Sequence, residues 1–159
     1  MARYLEDDES TLTVLDRLLE QPPKAGDIGV RSRSPFLDSI ARDLEVLLNT
    51  RREEPMVPPE YEEAATSILN FGVPELTWYG NLSHPIEQNK LCKAMEESIR
   101  LFEPRLRKIS VRAVGVDNPK AAVRFRLEAT IEFLSEREVF EIGLKRDTGR
   151  MSVSPGGNL

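Results

Sequence analysis

The stretch Val123-Arg-Phe-Arg-Leu-Glu-Ala-Thr-Ile-Glu-Phe133 decides the fold. Val123, Phe125, Leu127, Ala129, Ile131 and Phe133 alternate without a break with charged or hydroxyl residues, the period of two that gives a β-strand one buried face. Outward from it, Ile109 and Val111 begin an earlier strand, and Asp117-Asn-Pro-Lys120 reads as the intervening turn. Phe140, Ile142 and Leu144 mark a third strand, Asp147-Thr-Gly149 a hairpin turn, and Met151 to Val153 a last short strand. The C-terminal half is an antiparallel meander.

Upstream of Pro104 the period is 3.6 instead. Ser34-Pro35 offers an N-cap and a first-turn proline, followed by Leu37, Ile40, Ala41, Leu44, Leu47 and Leu48 on one stripe. The face bearing Asp38, Arg42, Asp43 and Glu45 should be solvated. A second helix is expected over 60–69, presenting Tyr61, Ala64, Ala65, Ile68 and Leu69, with Asn70-Phe-Gly72 and Pro74 as its stop. The third starts near His84-Pro85, carries Glu87 where a capping-box acid would lie, and runs through Leu91, Met95, Ile99 and Phe102 to Pro104. Helices first and strands second describe an α+β fold, with N-terminal helices packed on one face of a C-terminal, mainly antiparallel β-sheet. The expected organisation is a short helix (Thr11 to Leu19) and linker over 1–33, one α+β domain over 34–153, and a tail over 154–159.

The chain has 159 residues and a net charge of −5, with one Cys and one His. This reads as one soluble, cytoplasmic domain, long enough to bury roughly 70% of its unfolded surface without disulfide or metal. Cys92 and His84 are too few for a structural zinc site, no apolar run reaches a membrane span, and no phosphate-binding glycine loop is present. Neither a cofactor nor a metal is expected. The adjacent acids Glu62/Glu63 and Glu96/Glu97 point about 100° apart on a helix, so neither pair makes a catalytic dyad. Glu53 and Glu103 could meet only across a cleft that the sequence does not reveal. His84 reads as a cap and Cys92 as a small buried side chain rather than a nucleophile pair.

Charge is uneven along the chain. Residues 1–30 hold seven acids and three bases, whereas 100–126 hold eight bases and two acids. The basic stretch reads as a solvated sheet face, with docking of an acidic protein as the functional alternative and nucleic acid third, because the net charge opposes phosphate binding. Within it, Leu101-Phe-Glu-Pro-Arg-Leu106 stands out. Pro104 ends the helix and extends Glu103, so Glu103 and Arg105 point the same way. They form either a helix stop with a solvent-exposed ion pair worth at most about 1 kcal/mol, or a pair held where a second chain docks, whose charge reversal would block assembly and leave the isolated fold intact.

Four segments together carry a resemblance: Val14-Leu-Asp-Arg-Leu18, Leu47-Leu-Asn-Thr-Arg-Arg52, Ser67-Ile-Leu-Asn-Phe-Gly72 and Phe102-Glu-Pro-Arg-Leu106. In this order they resemble the TssE family, the wedge subunits of the type VI secretion baseplate, within the phage baseplate wedge proteins often labelled lysozyme-like. The resemblance covers about residues 10–153. It implies a non-enzymatic assembly role in the wedge with TssF, TssG and TssK, next to the TssB/TssC contractile sheath. The location implied is cytoplasmic, at the inner face of the inner membrane, which is reached only through the assembled apparatus. No nucleic acid or small-molecule substrate is implied. Glu103, Pro104 and Arg105 match the family motif at the contact with the wedge's helical core bundle, and Thr50 and Arg51 match the end of the long helix and its loop. The strands correspond to a sheet whose open edge could take a partner strand. A peptidoglycan-cleaving enzyme is the alternative that the lysozyme label suggests, and a stand-alone cytoplasmic regulator is a third.

Overall fold

The computed structural model describes residues 35–52, 57–58, 60–79, 82, 84–117, 122–132, 136–145 and 147–156. The expected helix Thr11 to Leu19, the linker over 21–33, Glu53, Asn118 to Lys120 and Phe133 lie outside the described residues. The chain divides into two compact units, Met1–Ile40 and Ala41–Leu159. The first contributes to the description only Pro35 to Ile40, the opening turns of helix α1 (Pro35–Asn49).

Helix α1 carries its buried residues where the stripe places them, at Ala41, Leu44, Leu47 and Leu48. The expected second helix is largely absent: α2 spans only Glu62–Ala65, and a separate 3-10 turn covers Ile68–Asn70. Thr66 and Ser67 break the run by bonding backbone instead of continuing it. Thr66 Oγ1 donates to the Glu62 and Glu63 carbonyls, Ser67 Oγ accepts from Leu69 N, and Asn70 Nδ2 takes the Ala65 carbonyl at 2.9 Å. The apolar residues of this stretch are accordingly not core, Ile68 being 84% exposed. Helix α3 (Pro85–Phe102) forms as the sequence indicates, with Pro85 in its first turn and His84 at the N-cap. Neither His84 nor Glu87 makes a side-chain cap; Glu87 instead accepts from Lys90 at 2.9 Å.

Strands β1 (Leu106–Asp117), β2 (Ala122–Ile131), β3 (Arg137–Lys145) and β4 (Met151–Pro155) form one antiparallel sheet in the order β1-β2-β3-β4. Val123, Phe125, Leu127, Ala129 and Ile131 are all buried, as are Phe140, Ile142 and Leu144 opposite them. Helix α3 packs on β1, and Leu91, Met95 and Ile99 are fully buried. The β3–β4 hairpin closes with Gly149 at φ +64°, the left-handed position glycine favours, and Gly149 N donates to Lys145 O. β4 runs past the expected end: Ser154 and Pro155 pair with Glu141 and Phe140, and Gly156 N donates to Val139 O, so these residues belong to the sheet and not to a tail.

Both outer strands have their edges occupied by helix side chains. On β4, Asn49 accepts from Met151 N and donates to Met151 O, both at 2.8 Å, and Glu45 accepts from Val153 N at 3.1 Å. Pro155, next in the same alternation, has no N–H to satisfy. On β1, Glu96 accepts from Val111 N at 2.7 Å, and the Ala113 backbone hydrogen-bonds the Cys92 sulfur. Each cap is a pair four residues apart on one helix turn, Glu45/Asn49 or Cys92/Glu96, reaching alternate residues of the strand. Removing the amide in Asn49→Ala loses these two hydrogen bonds and an exposed third to Glu45 O, and should therefore cost about 2–3 kcal/mol in a urea titration. Hydrogen exchange should show Met151 N–H losing more protection than the fall in global stability accounts for, and Phe125 N–H losing only that fall.

Candidate functional site

Glu103 follows directly on helix α3, its N–H still donating to Ile99 O at 2.9 Å, and Pro104 prevents a further turn. The chain then enters β1 with Leu106 N donating to Glu103 O and Arg105 O accepting from Glu132 N. In this short junction Arg105 folds back. Its Nε donates to Glu103 Oε1 at 2.6 Å and its Nη2 to Glu103 Oε2 at 2.5 Å, a two-pronged pair, while Arg105 N also reaches Oε1 at 3.2 Å. Nη2 in addition meets Asp43 Oδ2 of α1 at 2.6 Å. Burial works against the Arg105 charge, but the hydrogen bonds and attraction of Glu103, then of Asp43, hold the guanidinium above its ordinary pKa.

Glu103 and Arg105 do point the same way, but they are not the solvent-exposed pair that the sequence suggests. Glu103 is only 4% exposed and the Arg105 side chain 20%. Asp43, on the helix face expected to be solvated, is the missed third member. No sequence signal marks it, because its partner lies 62 positions away.

Thr50 and Arg51 sit at the far end of α1, about two turns beyond Asp43. Thr50 Oγ1 donates to Val46 O, and a short parallel bridge joins Arg51 to Val73: Val73 N donates to Thr50 O and Arg52 N to Val73 O, both at 2.9 Å. Gly72 makes this possible, since it adopts φ +108° and a Cβ there would lie 2.3 Å from Thr50 O. Arg52 is turned inward and buried, while Arg51 is exposed and pairs with Glu75 at 3.1 Å. An open depression of about 240 Å³ beside them is lined by Thr50, Arg51, Pro74, Glu75, Leu76 and Gly149.

The remaining motif, Ser67 to Gly72, is accounted for nearly residue by residue. Asn70 is buried, accepting from Val57 N and donating to Ala65 O. Phe71 meets the Phe102 ring edge to face at 5.2 Å, and Gly72 O accepts from Ser98 Oγ at 2.7 Å. Helix α3, the end of α1 and the connecting loop are thereby held together immediately beside the Glu103 junction. Against this framework the sequence was compared with known families, and the model of the baseplate wedge protein gp25 matches residues 35–134, well over half of the chain. The chain belongs to the gp25 baseplate wedge family. The match takes in the loop after α1, the Asn70-containing turn and the Glu103-Pro104-Arg105 corner, so the resemblance read from the sequence is established at the family level. No curated protein matches the chain at a significant level.

Membership makes this a protein of a structural baseplate family. The thiol of Cys92 fits that character: burial outweighs the favourable backbone contact and pushes its pKa up to about 11, far from a reactive thiolate. Among the described residues no cluster of acids, His and Cys could hold a metal ion.

Two stability predictions follow from this geometry. Arg105→Ala strands the buried Glu103 carboxylate and should cost about 3–5 kcal/mol in urea unfolding, whereas Arg107→Ala, which breaks an exposed pair with Glu132, should cost under about 1 kcal/mol. Gly72→Ala meets both the positive φ and the Thr50 carbonyl and should lose at least about 2 kcal/mol. Gly115→Ala, with no atom within 4 Å of its new methyl, should lose less.

Proposed function

We propose that the chain is the wedge subunit of a type VI secretion baseplate, a non-catalytic scaffold that binds TssF and TssG in the TssK-containing wedge and helps to start the TssB/TssC sheath. What carries the reading is the gp25 family match, together with the Asn-Thr-Arg-Arg loop and the Glu-Pro-Arg corner in that order along the chain. Its place of action is the cytoplasmic side of the inner membrane, reached through the apparatus; among the described residues no helix is long and apolar enough to cross a membrane.

In this reading the two halves of the motif set have different jobs. Glu103 and Arg105 spend their hydrogen bonds within the chain, so the corner contributes shape: it ties α1, at Asp43, to the start of the sheet. Contact with TssF and TssG falls to what that corner leaves outside, the exposed Pro104 and Arg51, the half-buried Thr50 and the depression beside Thr50 and Arg51. Addition of a sheath strand at β4 would exchange the Asn49 and Glu45 caps for main-chain partners.

Arg51→Glu tests the contact cleanly, since the ion pair it removes is exposed and the fold should keep its stability within about 1 kcal/mol. Co-expressed with TssF and TssG, the wild-type chain should co-purify with both, and Arg51→Glu should reduce recovery at least several-fold at unchanged melting temperature. Failure of the wild-type chain to co-purify would sink the wedge reading itself. Undiminished recovery of the variant would remove only the Arg51 contact.

A further inference from the structure

The sheet face turned away from the core carries a different set of arginines. Arg112, Arg124 and Arg126 project from β1 and β2 on this side, with Arg112 and Arg126 directly opposite each other in the register. Like charges in that position repel. Four arginines elsewhere are matched, Arg51 with Glu75, Arg105 with Glu103 and Asp43, Arg107 with Glu132 and Arg137 with Glu128, while among the described residues Arg100 and Arg150 stand singly and exposed. Among the described residues none of the three on this face has an ion-pair partner, although Glu141 stands next to Arg126 in the register. Arg126 Nε is buried and makes no hydrogen bond.

Arg124 and Arg126 border a depression of about 240 Å³ whose other walls include Val114, Glu141, Gly143, Ser152 and Ser154, with Arg112 across the strand pair from Arg126. Its floor is low because β3 and β4 contribute small side chains here, and a β-bulge between Ala113 and Gly115 leaves Val114 without a register partner and 54% exposed. A concave strip, edged by two guanidinium groups against the single carboxylate of Glu141 and floored by glycine, serine and one exposed valine, is shaped for an extended chain. It keeps a basic excess once Arg112 is counted.

We infer that this strip is a docking site for an extended acidic segment of a partner protein, with carboxylates at alternate positions. Arg124 and Arg126 are two residues apart on one strand, about 7 Å, which is also the spacing of side chains i and i+2 along an extended peptide. Each guanidinium can take one carboxylate through two N–H groups, and Arg112 stands opposite Arg126 to share the second. The alternating side chains between the carboxylates face away from the strip. Nucleic acid fits less well, because the chain carries net −5 and this face offers no exposed aromatic ring for stacking.

The test uses the full chain and three probes of equal formal charge: a peptide with glutamates alternating with threonines, a peptide of the same composition with its glutamates contiguous, and a short single-stranded oligonucleotide. Titration is followed by the arginine Nε–Hε resonances. The alternating peptide should shift Arg112, Arg124 and Arg126 saturably while leaving Arg107 and Arg137 in place, and should bind at least threefold tighter than either other probe. The double substitution Arg124→Gln/Arg126→Gln should weaken it at least tenfold, and Arg107→Gln/Arg137→Gln less than twofold. The first double variant should also melt no lower than wild type, because its arginines lack internal partners. The inference is overturned by absence of saturable shifts, by equal losses in the two double variants, by equal or tighter binding of the contiguous peptide or the oligonucleotide, or by a lower melting temperature of Arg124→Gln/Arg126→Gln.

Discussion

Arg105 is the point on which the helical and sheet layers of this chain are joined. It lies in the junction between the end of α3 and the start of β1, pairs with Glu103 on one side and reaches Asp43 of α1 on the other. Removing the charges and filling the volume with hydrocarbon could be as stable, since desolvating ions offsets most of their mutual attraction. What hydrocarbon would not supply is direction. A two-pronged guanidinium pair fixes both the distance and the angle between a helix end and a strand start, and a second carboxylate extends that constraint to another helix. A scaffold subunit, whose outer surfaces must meet several neighbours at once, depends on such angles more than on its total stability.

The edge caps follow the same logic at the rim of the sheet. A four-stranded meander leaves two rows of unpaired backbone groups, which invite unwanted strand pairing. Here helices supply the missing partners through side chains one turn apart, Glu45 and Asn49 for β4 and Cys92 and Glu96 for β1. These bonds have a consequence for assembly. An edge closed by main-chain pairing could be opened only by unfolding a strand, whereas one closed by an asparagine and a glutamate opens by two side-chain rotations. The chain can therefore stay single in isolation and still expose a strand edge to a partner that offers better-aligned bonds.

How much of this the sequence discloses depends on the range of the interaction. The alternation over 123–131 and the stripe on α1 are local and periodic, and they place the core correctly. The stretch 60–69 misleads because Thr66, Ser67 and Asn70 satisfy backbone groups with side chains, a competition that apolar spacing does not register. At the corner, the direction of Glu103 and Arg105 is legible from Pro104, but their burial is not. Whether a charged pair lies in solvent is decided by what packs over it, and Asp43 is supplied by a helix more than 60 residues earlier. Asn49 is similarly opaque: inside the Asn-Thr-Arg-Arg motif it looks like a helix stop, and only the fold brings Met151 to it.

Five arginines of the basic stretch over 100–126 separate, once folded, into two groups that linear counting merges. Arg105 and Arg107 are consumed by Glu103, Asp43 and Glu132 and serve the fold. Arg112, Arg124 and Arg126 are gathered on the outer sheet face with their charge unmatched. An acid at either position would relieve the repulsion between Arg112 and Arg126, as Glu128 of β2 matches Arg137 diagonally across on β3. Repulsion between like charges across a strand pair weakens the isolated sheet, while a partner that brings carboxylates gains both their attraction and the relief of that repulsion. Unmatched charge on a rigid, otherwise well-paired sheet thus places part of the chain's electrostatic stabilisation in the assembled state rather than in the free subunit.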